Sequence, residues 1–86
     1  MVGWLAVSRA GHDKDTFYLI IKEESNSVYL ADGVYKTCAA PKKKNKKHIQ
    51  TIHKGLTQEE LQKVLENPAD ADTVIKRCIK MNCKPV

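Results

Sequence analysis

The sequence predicts a mainly β domain with an α-helical tail: a small antiparallel β-barrel followed by two short C-terminal helices. Two observations lead to this prediction. In the N-terminal part of the chain, apolar and polar residues alternate with a period of two, which is typical of strands that bury one face. From Leu56 onward, the apolar residues recur at helical spacing instead. With 86 residues, the chain is expected to form one domain with a modest core.

Four strands are predicted where the alternation is clearest. The first three run from Trp4 to Ser8, from Phe17 to Glu23 and from Ser27 to Asp32. The segments between them contain Gly, Asp, Asn and Ser, which favour tight turns, so an antiparallel meander is expected. His48 to Ile52 alternates and is β-branched, which predicts a strand that returns to the barrel. One consistent set of side chains is expected to form the interior: Leu5, Val7, Leu19, Ile21, Val28 and Leu30.

Two helices are predicted after the barrel. Thr57 to Glu60 has the pattern of a capping box, and Asn67-Pro68 ends the first helix and begins the second. In the second helix a regular apolar stripe is expected to pack against the barrel, because it would be unstable in water: Val74, Ile75, Cys78 and Ile79. The predicted organisation is a barrel over residues 1–55, with a lysine-rich loop at 41–47, and a helical extension over residues 56–84.

Positive charge is concentrated in the middle of the chain. Fifteen Lys and Arg residues against ten Asp and Glu residues give a net charge of +5. Seven lysines and no acidic residue lie between Gly33 and Gln58. Five of the lysines occupy residues 42–47, and they are expected to stay outside the core because they are so densely charged. A solvated loop is the simplest interpretation of the run, but its self-repulsion favours a polyanionic partner, most commonly nucleic acid.

An ordered series of short motifs covers about the first two-thirds of the chain. It comprises Gly3 leading into Leu5-Ala6-Val7-Ser8, Ala10-Gly11-His12-Asp13-Lys14, Phe17-Tyr18-Leu19-Ile20-Ile21, Tyr29-Leu30-Ala31-Asp32-Gly33, and Pro41-Lys42-Lys43-Lys44 up to Lys47-His48. The series resembles the KOW module of ribosomal and transcription-associated proteins. It is most similar to the short bacterial relatives of the ribosomal L14e/L6e/L27e family. The resemblance implies an SH3-like β-barrel that binds RNA and has no catalytic activity.

The predicted partner is therefore structured RNA, ribosomal or otherwise, recognised mainly through its phosphates. Lysine supplies charge without the planar geometry that distinguishes a guanine edge, so positioning is expected rather than base specificity. Trp4 and Tyr35 are candidate stacking platforms for a base, although packing against the tail helix is the simpler interpretation for Trp4. The residues expected to contact RNA are Arg9, Lys14, Tyr35, Lys36, Lys42, Lys43, Lys44, Lys46, Lys47 and His48.

Other classes of function have less support in the sequence. The cysteines and histidines lack the paired spacing of zinc sites, so neither a metal nor a cofactor is expected. Cys38 and His48 would need a third, orienting group to form a nucleophile pair, so no enzyme is predicted. The main alternative is a protein–protein adaptor that docks on the ribosome or the transcription machinery through the barrel groove or the helical tail. A cytoplasmic monomer is expected, with reduced thiols and no membrane association.

Overall fold

The computed structural model describes residues 1–82, and over them the chain is mainly β with an α-helical tail. The predicted end of the helical extension at residue 84, and Cys83, lie outside this range. A 3-10 turn over Lys46–His48 separates the last two strands. The strands and helices of the described range are β1 (Trp4–Ser8), β2 (Phe17–Glu23), β3 (Ser27–Ala31), β4 (Lys42–Asn45), β5 (Ile49–Gly55), α1 (Gln58–Leu65) and α2 (Pro68–Asn82).

The strands form one antiparallel sheet in the order β4-β3-β2-β1-β5. The predicted meander of β1, β2 and β3 is confirmed. The returning strand predicted at His48 to Ile52 is observed as β5, which pairs with β1 and places Ile49 opposite Ser8. β4 pairs with the free side of β3, where Lys42 lies opposite Leu30. The sheet is open, with β4 and β5 as its edge strands.

The connection between the two edge strands requires the sheet to curl. In a flat sheet, strands spaced about 4.8 Å apart would place β4 and β5 about 19 Å apart. The chain from Asn45 to Ile49 has four Cα–Cα steps and therefore spans at most about 15 Å. The sheet must bend enough for this turn to reach across.

The prediction of a lysine-rich loop at 41–47 is wrong, because Lys42–Asn45 forms strand β4. The segment contains no apolar side chain, so the alternation that identifies the other strands is absent. The segment adopts an extended conformation because its backbone pairs with β3, from Ser27 opposite Asn45 to Leu30 opposite Lys42. Lysine is well tolerated on an edge strand, where it prevents further pairing.

Both faces of the sheet are buried, and this corrects the prediction of a single interior set. Leu5 and Leu19 lie on the face covered by the helices, whereas Val28 and Leu30 lie on the opposite face with Ile20. The reason is visible in β2, whose residues 17–21 are all apolar and so supply side chains to both faces. Ile21 packs on the helical side, at a point where the register between β2 and β3 shifts by one residue.

The two helices cover one face of the sheet. The capping box of α1 is confirmed: Thr57 Oγ1 accepts from the Glu60 backbone N–H, and Glu60 Oε1 accepts from the Thr57 N–H, both at 3.1 Å. α2 buries Ile75 and Cys78 in the same cluster as Leu5, as the stripe predicts. The other two predicted positions, 74 and 79, are only half-buried. Across residues 1–82, no helix has the length and apolar character needed to cross a membrane.

Candidate nucleic-acid interface

Two lysines of β4 point inward and share one carboxylate. Lys42 and Lys44 are two residues apart in a strand, so their side chains leave the same face. Their Nζ atoms lie 2.8 and 2.6 Å from the Oδ2 and Oδ1 atoms of Asp13, in the loop between β1 and β2. Lys44 also donates to Ser8 Oγ and to the Ala10 carbonyl, both at 2.7 Å. Its side chain is only 10% exposed, so the expectation that the whole run lies outside the core is wrong.

Asp13 is the centre of this cluster. Ser8 Oγ donates to its Oδ1 at 2.9 Å, and the Tyr18 hydroxyl donates to its Oδ2 at 3.0 Å. Burial opposes ionisation, but the hydrogen bonds from Lys42, Lys44 and the two hydroxyls outweigh it and hold the pKa of Asp13 far below its usual range. Burial, and then the contact with Asp13, raise the pKa of the Tyr18 hydroxyl. We refer to these five residues as the polar clamp, because they link β4 to a loop with which it does not pair.

The other lysines of the run are oriented differently. Lys43 Nζ lies 3.3 Å from Glu24 Oε1, and the two side chains are 58% and 43% exposed, so their attraction is largely screened by water. Lys46 Nζ lies 2.6 Å from Glu23 Oε2 and holds the pKa of this carboxyl below its ordinary value. Lys47 is exposed and forms no ion pair with any residue in the described range.

The fold brings the 3-10 turn that contains Lys47 and His48 next to the end of β1 at Arg9. The backbone N–H of Arg9 donates to the His48 carbonyl at 2.8 Å, which joins the end of β1 to the 3-10 turn. All three side chains are exposed, and Arg9, like Lys47, has no carboxylate partner among residues 1–82. Lys14 is also exposed, on the loop that follows Arg9. We refer to Arg9, Lys14, Lys47 and His48 as the basic rim.

Tyr35 and Lys36 lie in a separate place, on the loop between β3 and β4. The loop is held by Asp32, whose Oδ1 accepts from the Lys36 backbone N–H at 2.9 Å. Gly33 has φ of +80°, and a Cβ at this position would collide with the carbonyl oxygen of Asp72 in α2. The loop therefore sits directly on the helix backbone. Tyr35 is 86% exposed, whereas Lys36 is half-buried.

Trp4 does not pack on the tail helix, so that expectation is wrong. Its ring lies 4.4 Å from the ring of His53, tilted by 48°. It joins the cluster on the face away from the helices, together with Met1 and Ile49. The alternation in β1 explains this, because Leu5, the next residue, faces the helices.

The sequence did not identify two groups that the structure brings to the site. The first is Asp13, which lies in a segment where the sequence predicts only a tight turn, yet it neutralises two of the predicted phosphate contacts. The second group is the set of exposed cations on α2, where the backbone nitrogen of Lys76 would lie 3.0 Å from a Cβ on Gly33. The spacing of Lys42 and Lys44 was the available signal for the first group, because it matches the two-residue period of the neighbouring strands.

The thiol considered as a nucleophile is in an unfavourable environment. The backbone N–H of Cys38 donates to Asp72 Oδ1 at 2.9 Å. Burial, and then the Asp72 charge, raise the pKa of Cys38 to about 11, so the thiol is protonated at neutral pH. Within the described part of the chain, no three His, Cys, Asp or Glu side chains form a group that could hold a metal ion. No protein-family model and no curated protein matches the chain.

Proposed function

We propose that this chain is a non-catalytic, cytoplasmic RNA-binding module of the KOW type that contacts the phosphates of structured RNA through the basic rim. The observation that carries the proposal is the backbone contact between Arg9, at the end of β1, and the 3-10 turn that contains Lys47. Both cations are exposed and have no carboxylate partner in the described range. On a chain with a net charge of +5, such a pair attracts polyanions. Ribosomal RNA or another structured RNA fits, because phosphate contacts depend on shape more than on base sequence.

We propose that the five strands form an SH3-like barrel. It is supported by the strand order, in which the first strand pairs with both the second and the fifth. The curl required by the 3-10 turn supports it as well. The polar clamp then bridges the gap that the backbone leaves between β4 and the β1–β2 loop. The motif resemblance to KOW proteins supports the same architecture.

The lysine run contributes to binding unequally. Lys44 and Lys42 are committed to Asp13 and are assigned to the fold rather than to RNA. Lys43 and Lys46 have exposed carboxylate partners that a phosphate can replace, so they are secondary contacts. The primary contacts are Arg9, Lys14 and Lys47. Three phosphate contacts predict a slope of about −2 to −3 for log K against log salt, at ~0.7 to 0.9 per contact.

The test is a salt titration of RNA affinity by fluorescence anisotropy. In the rim variant, Arg9, Lys14 and Lys47 are all replaced by glutamine. It should bind every structured RNA more weakly, to a similar extent, and with a shallower salt slope. The control replaces Lys22, Lys54 and Lys63 by glutamine, which removes the same net charge elsewhere. Equal affinity and slope for the two variants would overturn the assignment to the rim, and the absence of RNA binding by the parent at low salt would overturn the function.

A protein–protein adaptor is the second candidate, and one groove favours it. Val2, Ile21, Leu61 and Leu65 line an open apolar groove between the sheet and α1, and Leu65 is 36% exposed. Exposed apolar grooves of this kind serve as docking sites for other proteins. If this groove is the surface that docks on the ribosome, Leu65→Glu should abolish co-sedimentation with ribosomes and leave the affinity for RNA unchanged. If the rim variant alone loses co-sedimentation, the adaptor candidate is eliminated.

A further inference from the structure

One aromatic side chain of this protein, that of Tyr35, is largely exposed to water. Trp4, Phe17 and Tyr18 belong to the two core clusters. The ring of Tyr29 has two lysine ammonium groups at 5.3 and 5.8 Å from its centroid. Tyr35 is 86% exposed. All five aromatic residues lie in the described range, and only Tyr35 presents most of its ring to water.

The loop that carries Tyr35 is tightly hydrogen-bonded. The backbone N–H groups of Asp32 and Gly33 donate to the Lys36 carbonyl at 2.9 and 3.2 Å. In return, Asp32 Oδ1 accepts from the N–H groups of Val34 and Lys36 at 2.8 and 2.9 Å. The backbone on both sides of Tyr35 is thus fixed in the free protein, which reduces the entropy lost when a ligand binds there.

The same loop is anchored to α2. Gly33 lies so close to the helix that a Cβ would collide with the Asp72 carbonyl and come within 3.0 Å of the Lys76 backbone nitrogen. A second anchor follows the loop, where the Cys38 backbone N–H donates to Asp72 Oδ1. The loop that carries Tyr35 is therefore held, on both sides of this residue, against the segment of α2 that begins at Asp72.

That segment carries positive charge on its outer side. Lys76, Arg77 and Lys80 are exposed, and together with Thr73 they line a shallow depression. None of the three cations forms an ion pair with a residue in the range 1–82. We refer to Lys76, Arg77 and Lys80 as the α2 ridge. Its charges are free to engage a partner, in contrast to Lys42 and Lys44 on β4.

We propose that Tyr35 and the α2 ridge form a second RNA surface, which binds an unpaired nucleotide. A base stacks on the Tyr35 ring, and the phosphates next to it lie along the ridge. Aromatic stacking beside a basic groove is the usual way to hold single-stranded nucleic acid, because every base has a stacking face. The inference rests on the proposed function. It adds a preference for RNA with an unpaired segment, which the basic rim, a set of cations and one histidine, does not provide.

The experiment compares two RNAs that share one stem: a hairpin with an unpaired loop, and a fully paired duplex. The parent protein should bind the hairpin more tightly than the duplex. Tyr35→Leu should weaken hairpin binding by at least about fivefold, the lower end of what removal of one stacking aromatic costs, and should leave duplex binding unchanged. Tyr35→Phe keeps the ring and should behave as the parent. Since the side chain is exposed, both variants should keep the parent melting temperature.

Two charge variants locate the phosphates. Glutamine at all three positions of the α2 ridge should weaken hairpin binding and flatten its salt slope, with a smaller effect on the duplex. The rim variant should weaken both RNAs alike and preserve the preference. A parent without preference, or a Tyr35→Leu variant that retains it, would overturn the second surface while duplex binding through the rim still stands. If the parent binds neither RNA, the proposed function itself is overturned.

Discussion

Replacement of Lys44 by glutamine tests whether the polar clamp stabilises the fold. Lys44 donates to Ser8, Ala10 and Asp13 at 2.6–2.7 Å, and its side chain is 10% exposed. Removing one partner of a buried ion pair typically costs about 3–5 kcal/mol. Lys42 stays 2.8 Å from the Asp13 carboxylate, so a smaller loss of about 2–3 kcal/mol is expected. For an 86-residue domain this lowers the melting temperature by about 10–20 °C.

The assay is urea and thermal unfolding, followed by circular dichroism and by the fluorescence of Trp4. Lys43→Gln is the matched control, because it makes the same change at the next residue of β4. The Lys43 side chain is 58% exposed and its partner Glu24 is exposed too, so this variant should unfold close to the parent. If Lys44→Gln is no less stable than Lys43→Gln, the clamp contributes nothing and the reasoning is refuted.

A double-variant cycle identifies the contact responsible. Asp13→Asn removes the carboxylate charge, so a subsequent change at Lys44 loses little more. The double variant should therefore be destabilised by less than the sum of the two single variants. Strictly additive losses would show that the two side chains do not interact.

Three further predictions follow from the contacts described above. As the pH falls from about 5 towards 2, the free energy of unfolding should decrease more steeply for the parent than for Asp13→Asn. The reason is that the Asp13 carboxyl takes up a proton near its ordinary pKa of ~3.9 in the unfolded chain, whereas it stays ionised in the folded protein. Urea titrations at each pH measure this, and equal pH slopes for the two proteins would count against the clamp. Ile75→Ala should lower the free energy of unfolding, measured in urea, by about 2–4 kcal/mol, because Ile75 is fully buried against the sheet. Thr73 is exposed, so Thr73→Ala should have no such effect. Equal losses for the two variants would mean that α2 does not pack on the sheet. Gly33→Ala should release the Tyr35 loop from α2, because Gly33 has φ of +80° and the Asp72 carbonyl occupies the space that a Cβ would need. Amide hydrogen exchange over residues 32–36 should then become faster. Unchanged exchange would refute the close contact between Gly33 and α2.

The parts of the fold that depend on neighbouring residues could be predicted from the sequence. β1 and β2 have the bounds that the sequence predicts, Trp4–Ser8 and Phe17–Glu23. The α1 capping box uses two residues three positions apart, so Thr57 and Glu60 reveal it directly. The regular stripe of α2 likewise identifies Ile75 as a buried residue.

The parts that depend on distant residues could not be predicted. β4 is extended because β3 pairs with it, and its inward lysines are neutralised by Asp13, about thirty positions earlier. Local sequence carries no information about that partner, so the sequence predicts a lysine-rich loop that contacts RNA instead of a strand. The face of Val28 cannot be predicted for the same reason: the pairing of Leu30 with Ile20 puts Leu30, and Val28 two residues away, on the face of Ile20. RNA binding through the predicted residues stays a prediction that the experiments above test.

The lysines of β4 also affect how the protein behaves at high concentration. As an edge strand, β4 offers unpaired backbone groups to which another chain could add, and the exposed ammonium group of Lys43 opposes such addition. Replacing Lys42, Lys43 and Lys44 by glutamine to abolish RNA binding would leave a strand of three glutamines followed by Asn45. Amide ladders of this composition favour stacking into fibrils. A variant of that kind would therefore tend to be lost from solution through aggregation, and a loss of RNA binding in it would say little about phosphate contacts.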